Sequence, residues 1–215
     1  MNLVLASASP RRSELLRQMA LPFSVVIADI DESRLPGEVP AAYVERLAQE
    51  KSQAGYRLAA EQASASVNAG QNAGEARNIV LGADTIVVLD DEILGKPRGL
   101  TESTAMVTRL SGRTHQVFTG VAAFDGQRLE SQVVVSEVTF QRMSEADIQA
   151  YVASGEGMDK AGSYGIQGIG GIFVERIEGS FSAVMGLPVA ETEALLTSLN
   201  MDTWSMRNQW LKNSL

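Results

Sequence analysis

The sequence predicts a mixed α/β (α+β) chain, and three observations predict it. Short β-branched apolar runs alternate with helical patterns along most of the chain. Two long strand-like runs, 116–124 and 129–140, are joined by an Asp125-Gly126 turn as one hairpin. That hairpin interrupts strand–helix alternation, and no strand–GxGxxG–helix unit opens the chain, so a pure dinucleotide-binding pattern is excluded.

The elements follow in order. Leu3-Val4-Leu5-Ala6 reads as a short buried strand. A helix is expected from Pro10 to about Met19, with Leu15, Leu16 and Met19 as its apolar stripe, Ser9 at the N-cap and Pro10 at the first helical position. Phe23–Val26 is strand-like. The polar loop that follows carries Asp29, Asp31, Glu32 and Glu38. Pro40 opens a helix reaching at least Leu58. From about Ala59 to Arg77 the apolar period stops, and the reading is a helix end followed by a flexible surface insertion at about 60–77. Ile79–Leu89 is strand, with an interruption expected near Asp84. Thr101–Leu110 is helical. Ser144 caps a helix to about Ser154, seven glycines fall between Gly155 and Gly171, Phe173–Ile177 is strand, and Val189–Leu199 is helix. Residues 1–200 make one domain, and 201–215 is a polar C-terminal extension holding Trp204 and Trp210.

Composition narrows function. The 215 residues are 45% hydrophobic and 20% charged, ordinary for a folded chain. No apolar run approaches the roughly 18 residues of a membrane span, and no signal peptide is recognisable. Net charge is −8, which argues against a nucleic-acid surface. There is no cysteine and only one histidine, His115, so thiolate and His-rich zinc sites are excluded. A metal would have to be magnesium or manganese, held by carboxylates and water. These features favour the cytoplasm.

Four places look chemical. Arg11 and Arg12 sit in the first turn of a helix, where the positive dipole end repels cations by roughly 0.3–1 kcal/mol each. A docked anion reverses that repulsion, Arg forks suit phosphate, and Ser7 adds a hydroxyl. The same residues also fit two solvated arginines behind a Ser-Pro cap. Asp84 lies within an apolar run, costly to bury unless paired or metal-bound; a turn Asp bonded to backbone N–H groups is the plainer alternative. Lys51 shares a helical face with Tyr43, Leu47 and Ala54, so it either snorkels at the core edge, the commoner case, or points into a pocket. Lys96 is held by the stiff turn Gly95-Lys96-Pro97. In 159–168 glycines permit close approach, and the Gln167 amide matches the N–H and carbonyl edge of uracil or thymine. A flexible glycine loop is the bland alternative.

Together LASASPRR (5–12), Glu50-Lys51, GADTIV (82–87), GKP (95–97), SGRTHQVFTGV (111–121), DKAGSYGIQG (159–168) and GLP (186–188) resemble the Maf family of nucleoside triphosphate pyrophosphatases. The motifs cover most of residues 3–199. The resemblance implies a Maf/inosine triphosphatase-like fold, with an elongated mixed sheet and two lobes around a central cleft. It implies metal-assisted hydrolysis between the α- and β-phosphates, and the DKAGSYGIQG form is similar to the subgroup acting on dTTP and UTP. By that resemblance Asp84 is the general base. Ser7, Arg11, Arg12, Lys51 and Lys96 bind phosphate, Glu32 and Asp84 hold the metal, and Arg11, Thr85 and Gln167 set base preference. It further implies a homodimer. The alternatives are a nucleotide-binding regulator of septum formation and a 7-methyl-GTP pyrophosphatase. Phe181 and Ala183 stand where the family often has Tyr and Asn.

Overall fold

The computed structural model describes residues 1–68 and 77–213. Its strands are β1 (Asn2–Ala6), β2 (Ser24–Val26), β3 (Asn78–Leu89), β4 (Glu92–Leu94), β5 (Thr114–Phe124), β6 (Leu129–Phe140) and β7 (Val174–Glu178). Its helices are α1 (Pro10–Gln18), α2 (Pro40–Asn68), α3 (Leu100–Leu110), α4 (Glu145–Ala153), α5 (Phe181–Met185), α6 (Val189–Ser198) and α7 (Thr203–Asn213). One sheet has the order β2-β1-β3-β5-β6-β7, with β4 on β3. It is mixed: β1 runs parallel to β2 and β3, whereas the β3–β4 and β6–β7 pairs are antiparallel. The mixed α/β class read from the sequence is what the chain adopts.

The chain forms two compact units. The first comprises residues 1–84, 120–133 and 186–215; the second comprises 85–119 and 134–185. In the first unit, Val4, Ala6, Val26, Ala59 and Val80 form an apolar cluster against which Tyr56 packs. Helix α2 lies on the strands at glycines, because a larger residue would leave no room for its backbone. A methyl on Gly82 would sit 2.2 Å from the Ala48 carbonyl oxygen and 2.6 Å from the Ser52 nitrogen. One on Gly120 would sit 2.3 Å from the Val44 oxygen. Overpacking of this kind costs about 1–3 kcal/mol. Gly82→Ala is therefore expected to lower the urea-unfolding free energy by about 3 kcal/mol; a change under about 0.5 kcal/mol would show that the helix is not seated this way.

In the second unit, Val107, Leu110, Val117, Val138, Phe140 and Tyr164 belong to the core. His115 is buried within it. Its Nε2 lies 2.8 Å from the Tyr164 hydroxyl, and its ring meets Phe140 and Tyr164 edge-on. Nδ1 has no hydrogen-bond partner among the described residues. Burial pulls the imidazole pKa down from 6.5 to about 4. The unfolded chain then binds this proton between about pH 6.5 and 4 while the folded chain does not. Stability present above pH 6.5 is lost as pH falls across that window, to a total of about 3 kcal/mol. His115→Gln should flatten that part of the stability–pH curve; an unchanged slope would assign it to other groups.

Two local expectations are corrected and a third is filled in. Residues 59–68 continue α2, because Ala, Glu and Gln keep a helix going after the apolar period ends; residues 69–76 of the expected insertion lie outside the described residues. Strand β3 passes through Asp84 without a break, because a partner neutralises the buried charge. Within the polar extension, Thr203–Asn213 form a helix. Asp202 accepts from the Ser205 N–H at 2.9 Å, and Arg207 donates to Glu193 at 2.5 Å and to the Met19 carbonyl at 2.9 Å. Helix α5 carries no apolar period long enough to announce it, and the sequence reading missed it.

Candidate active site

In the first unit the site begins where β1 ends. Pro10 opens α1 behind Ser9 at the N-cap, but the Ser9 side chain makes no capping bond. The Ser7 Oγ takes over: it accepts from the Ser9 N–H at 3.1 Å and from Arg12 Nη1 at 3.1 Å. Arg12 Nε donates to the Gly186 carbonyl at 2.8 Å, which fixes the guanidinium beside the helix start. Burial disfavours the Arg12 cation and lowers its pKa; Asp84 opposes this, Arg11 adds to it, and Glu32 opposes it again. No acidic residue sits in the first turn of α1. The helix start is thus a place where an added anion relieves both the dipole and the arginine–arginine repulsion.

Lys51 does not snorkel. It is buried, and its Nζ lies 2.7 Å from Asp84 Oδ1 and 2.7 Å from Glu32 Oε1. Asp84 is 8% exposed, and the Lys51 ammonium bridges it to Glu32. Asp84 lies within a strand, so the turn alternative is excluded; Lys51, Asp84 and Glu32 form one contact group, Ser7 and Arg12 another, and Asp84, Glu32 and Arg11 all act electrostatically on Arg12.

Residues that sequence reading did not single out hold Glu32 in place. Arg46 donates to Glu38 at 2.7 and 2.9 Å, to Glu50 at 3.2 Å and to the Ser33 carbonyl at 3.0 Å. Tyr43 donates to the Glu32 carbonyl at 2.7 Å. The Arg46 pKa is raised, chiefly by its hydrogen bonds to Glu38. These bonds tie the acidic loop to α2. The one sequence signal was the Arg46–Glu50 spacing of four on a helix.

The second unit carries Thr85, Lys96 and Gln167, three other residues singled out from the sequence. Thr119 donates to the Ala183 carbonyl at 2.8 Å and lies 3.1 Å from the Thr85 hydroxyl oxygen. Ala183 therefore contributes its backbone here, which needs no amide side chain, while the Phe181 side chain is about half exposed. Lys96 is exposed in the turn after β4, where the Gly95 carbonyl accepts from the Gly162 N–H at 3.1 Å. Gln167 is exposed between two 3-10 turns, Ala161–Ser163 and Ile169–Phe173.

A divalent cation has a fitting donor pair in Glu32 and Asp84, two hard carboxylates already drawn to one positive charge. No group of three or more metal-ligating side chains occurs among the described residues. Water and substrate oxygens would have to complete the shell, which is usual for magnesium. Cations able to bind phosphate, beside carboxylates able to hold a metal or take a proton, are the chemistry a phosphate-processing hydrolase requires.

Comparison with known proteins agrees. The family described as Maf-like protein matches residues 2–199. The chain is 49% identical over 199 residues to the dTTP/UTP pyrophosphatase of Pseudoalteromonas atlantica, covering 93% of this chain and 97% of that one. It is 50% identical over 194 residues to the dTTP/UTP pyrophosphatase of Vibrio cholerae, covering 90% and 96%. It is 47% identical over 199 residues to a nucleoside triphosphate pyrophosphatase of Shigella flexneri, covering 93% of each. The chain belongs to the Maf-like family. No helix among the described residues is long and apolar enough to cross a membrane.

Proposed function

We propose that the chain hydrolyses dTTP and UTP to the nucleoside monophosphate and pyrophosphate. The observation that carries this is the Lys51 ammonium set between Asp84 and Glu32, with the hydrogen-bonded Ser7–Arg12 helix start close enough for both carboxylates to act on the Arg12 charge. Asp84 serves as the general base: its carboxylate takes a proton from the attacking water as the oxygen bonds to phosphorus. Arg12, Arg11, Ser7 and Lys51 bind the phosphate oxygens and offset the charge of the leaving pyrophosphate. Glu32 and Asp84 would hold magnesium or manganese, which supplies Lewis-acid polarisation and charge neutralisation when bound. Lys96 is assigned to phosphate, and Thr85 and Gln167 to the base, on the family resemblance and on the chemistry of their side chains. Relatives named dTTP/UTP pyrophosphatase support the choice of pyrimidine. A nucleoside triphosphate substrate fits a cytoplasmic location, and the homodimer rests on the family resemblance alone.

A panel of nucleoside triphosphates with pyrophosphate detection tests this reading. Pyrophosphate release should be fastest with dTTP and UTP and should require magnesium or manganese. Tight nucleotide binding without hydrolysis would favour the regulator of septum formation instead. Preference for 7-methyl-GTP would move the chain to the other pyrophosphatase subgroup.

A further inference from the structure

The glycine-rich segment has little regular structure, and glycine loses more freedom on ordering than any other residue. The segment is nevertheless tied down, and Glu156 ties it. One carboxylate oxygen of Glu156 accepts from the Ile169 N–H at 2.6 Å. The other accepts from the Gly170 N–H at 2.9 Å and from the Tyr151 hydroxyl at 3.0 Å. The Tyr151 hydroxyl oxygen in turn accepts from the Gly165 N–H at 3.2 Å. Gly168 lies so close that a methyl on it would sit 2.1 Å from the carboxylate. The Lys160 ammonium donates to the Glu156 backbone carbonyl. Burial pushes the Glu156 carboxyl up, but the Gly170 and Ile169 N–H groups and the Tyr151 hydroxyl outweigh it and hold the pKa below the usual range. Both flanks of Gln167 therefore hang from one carboxylate–phenol pair, while the Gln167 side chain itself is exposed.

We infer that Glu156 is a positioning residue for nucleobase preference, acting through the loop that carries Gln167; the inference rests on the proposed role of Gln167 as reader of the base. Cytosine presents the reversed donor–acceptor order at the edge where uracil and thymine offer an N–H and a carbonyl, so a Gln amide distinguishes them only while it is held in place. In Glu156→Gln one acceptor oxygen becomes an NH2 donor. Whichever way the new amide turns, it faces a backbone N–H and releases one flank of the loop.

The experiment compares wild type, Glu156→Gln, Gln167→Ala and the double variant on dTTP, UTP and CTP. Glu156→Gln is expected to raise KM for dTTP and UTP about tenfold, the worth of roughly one hydrogen bond to the base. Its kcat should stay within about twofold, and its preference for UTP over CTP should fall. The double variant should lose no more preference than Gln167→Ala alone, because the two residues act through one contact. Independent, multiplying losses would overturn the inference, as would a kcat loss with KM and preference intact. If Gln167→Ala alters preference and Glu156→Gln does not, the inference fails and the base reading stands. If Gln167→Ala leaves preference unchanged, both fail. Should Glu156→Gln not fold, Tyr151→Phe removes only the bridging hydroxyl and keeps the ring against Phe173. It should show the same shift to a smaller degree, and unaltered KM and preference would overturn the inference equally.

Discussion

Asp84→Asn is expected to lower kcat for pyrophosphate release by about 10³-fold, within the range for a lost general base. Asn has the same shape and keeps a carbonyl oxygen that can accept from Lys51, which sits 2.7 Å from Asp84 Oδ1. The fold should therefore survive, with a circular dichroism spectrum like that of wild type. What Asn cannot do is take a proton from water. Turnover within tenfold of wild type, in a folded variant, would remove Asp84 from the role of base.

Lys51→Met is expected to cost stability as well as activity. The ammonium is buried and is shared by Asp84 and Glu32. Removing it leaves two like charges without their common partner, one of them in the interior. Breaking a buried pair in this way costs about 3–5 kcal/mol, though the exposed half of Glu32 reduces its share. The cause can be isolated by a double-mutant cycle. Once Asp84 is also neutralised as Asn, the added cost of Lys51→Met should fall by more than about 1 kcal/mol. Strict additivity would mean that the lysine stabilises the protein through its stem and not through its charge.

The regular elements were legible because period and punctuation agreed. Ser9-Pro10 marked the start of α1, Asp125-Gly126 the β5–β6 turn, and Ser144 the start of α4, where it forms a capping box with Asp147. Asp125 locks its own turn by accepting from the Gln127 and Arg128 N–H groups at 2.9 and 2.8 Å. Asp84 and Lys51 were legible for the opposite reason: each is a charge on an apolar face, and such charges need partners. That they are each other's partners was not legible, because 33 positions separate them. The seating of α2 on Gly82 and Gly120 makes that meeting possible, and close backbone approach leaves no periodic trace. The clamp by Arg46 and Tyr43 was hidden for a related reason. Arg46 reads as a solvated helix residue until the acidic loop folds back onto α2, and much of that contact is to backbone oxygens, which sequence does not display. That part of the polar extension forms a helix was not legible for a like reason: Arg207 of α7 pairs with Glu193 of α6, a polar contact that apolar patterning does not display.

In the proposed reaction the site cleaves between the α- and β-phosphates with Asp84 activating the water. Phosphorus NMR of the products formed from dTTP, with wild type and Asp84→Asn side by side, tests it most directly. Thymidine monophosphate and pyrophosphate are expected from wild type, and neither at a comparable rate from the variant. Diphosphate with orthophosphate from wild type, or the same products at the same rate from both proteins, would contradict it.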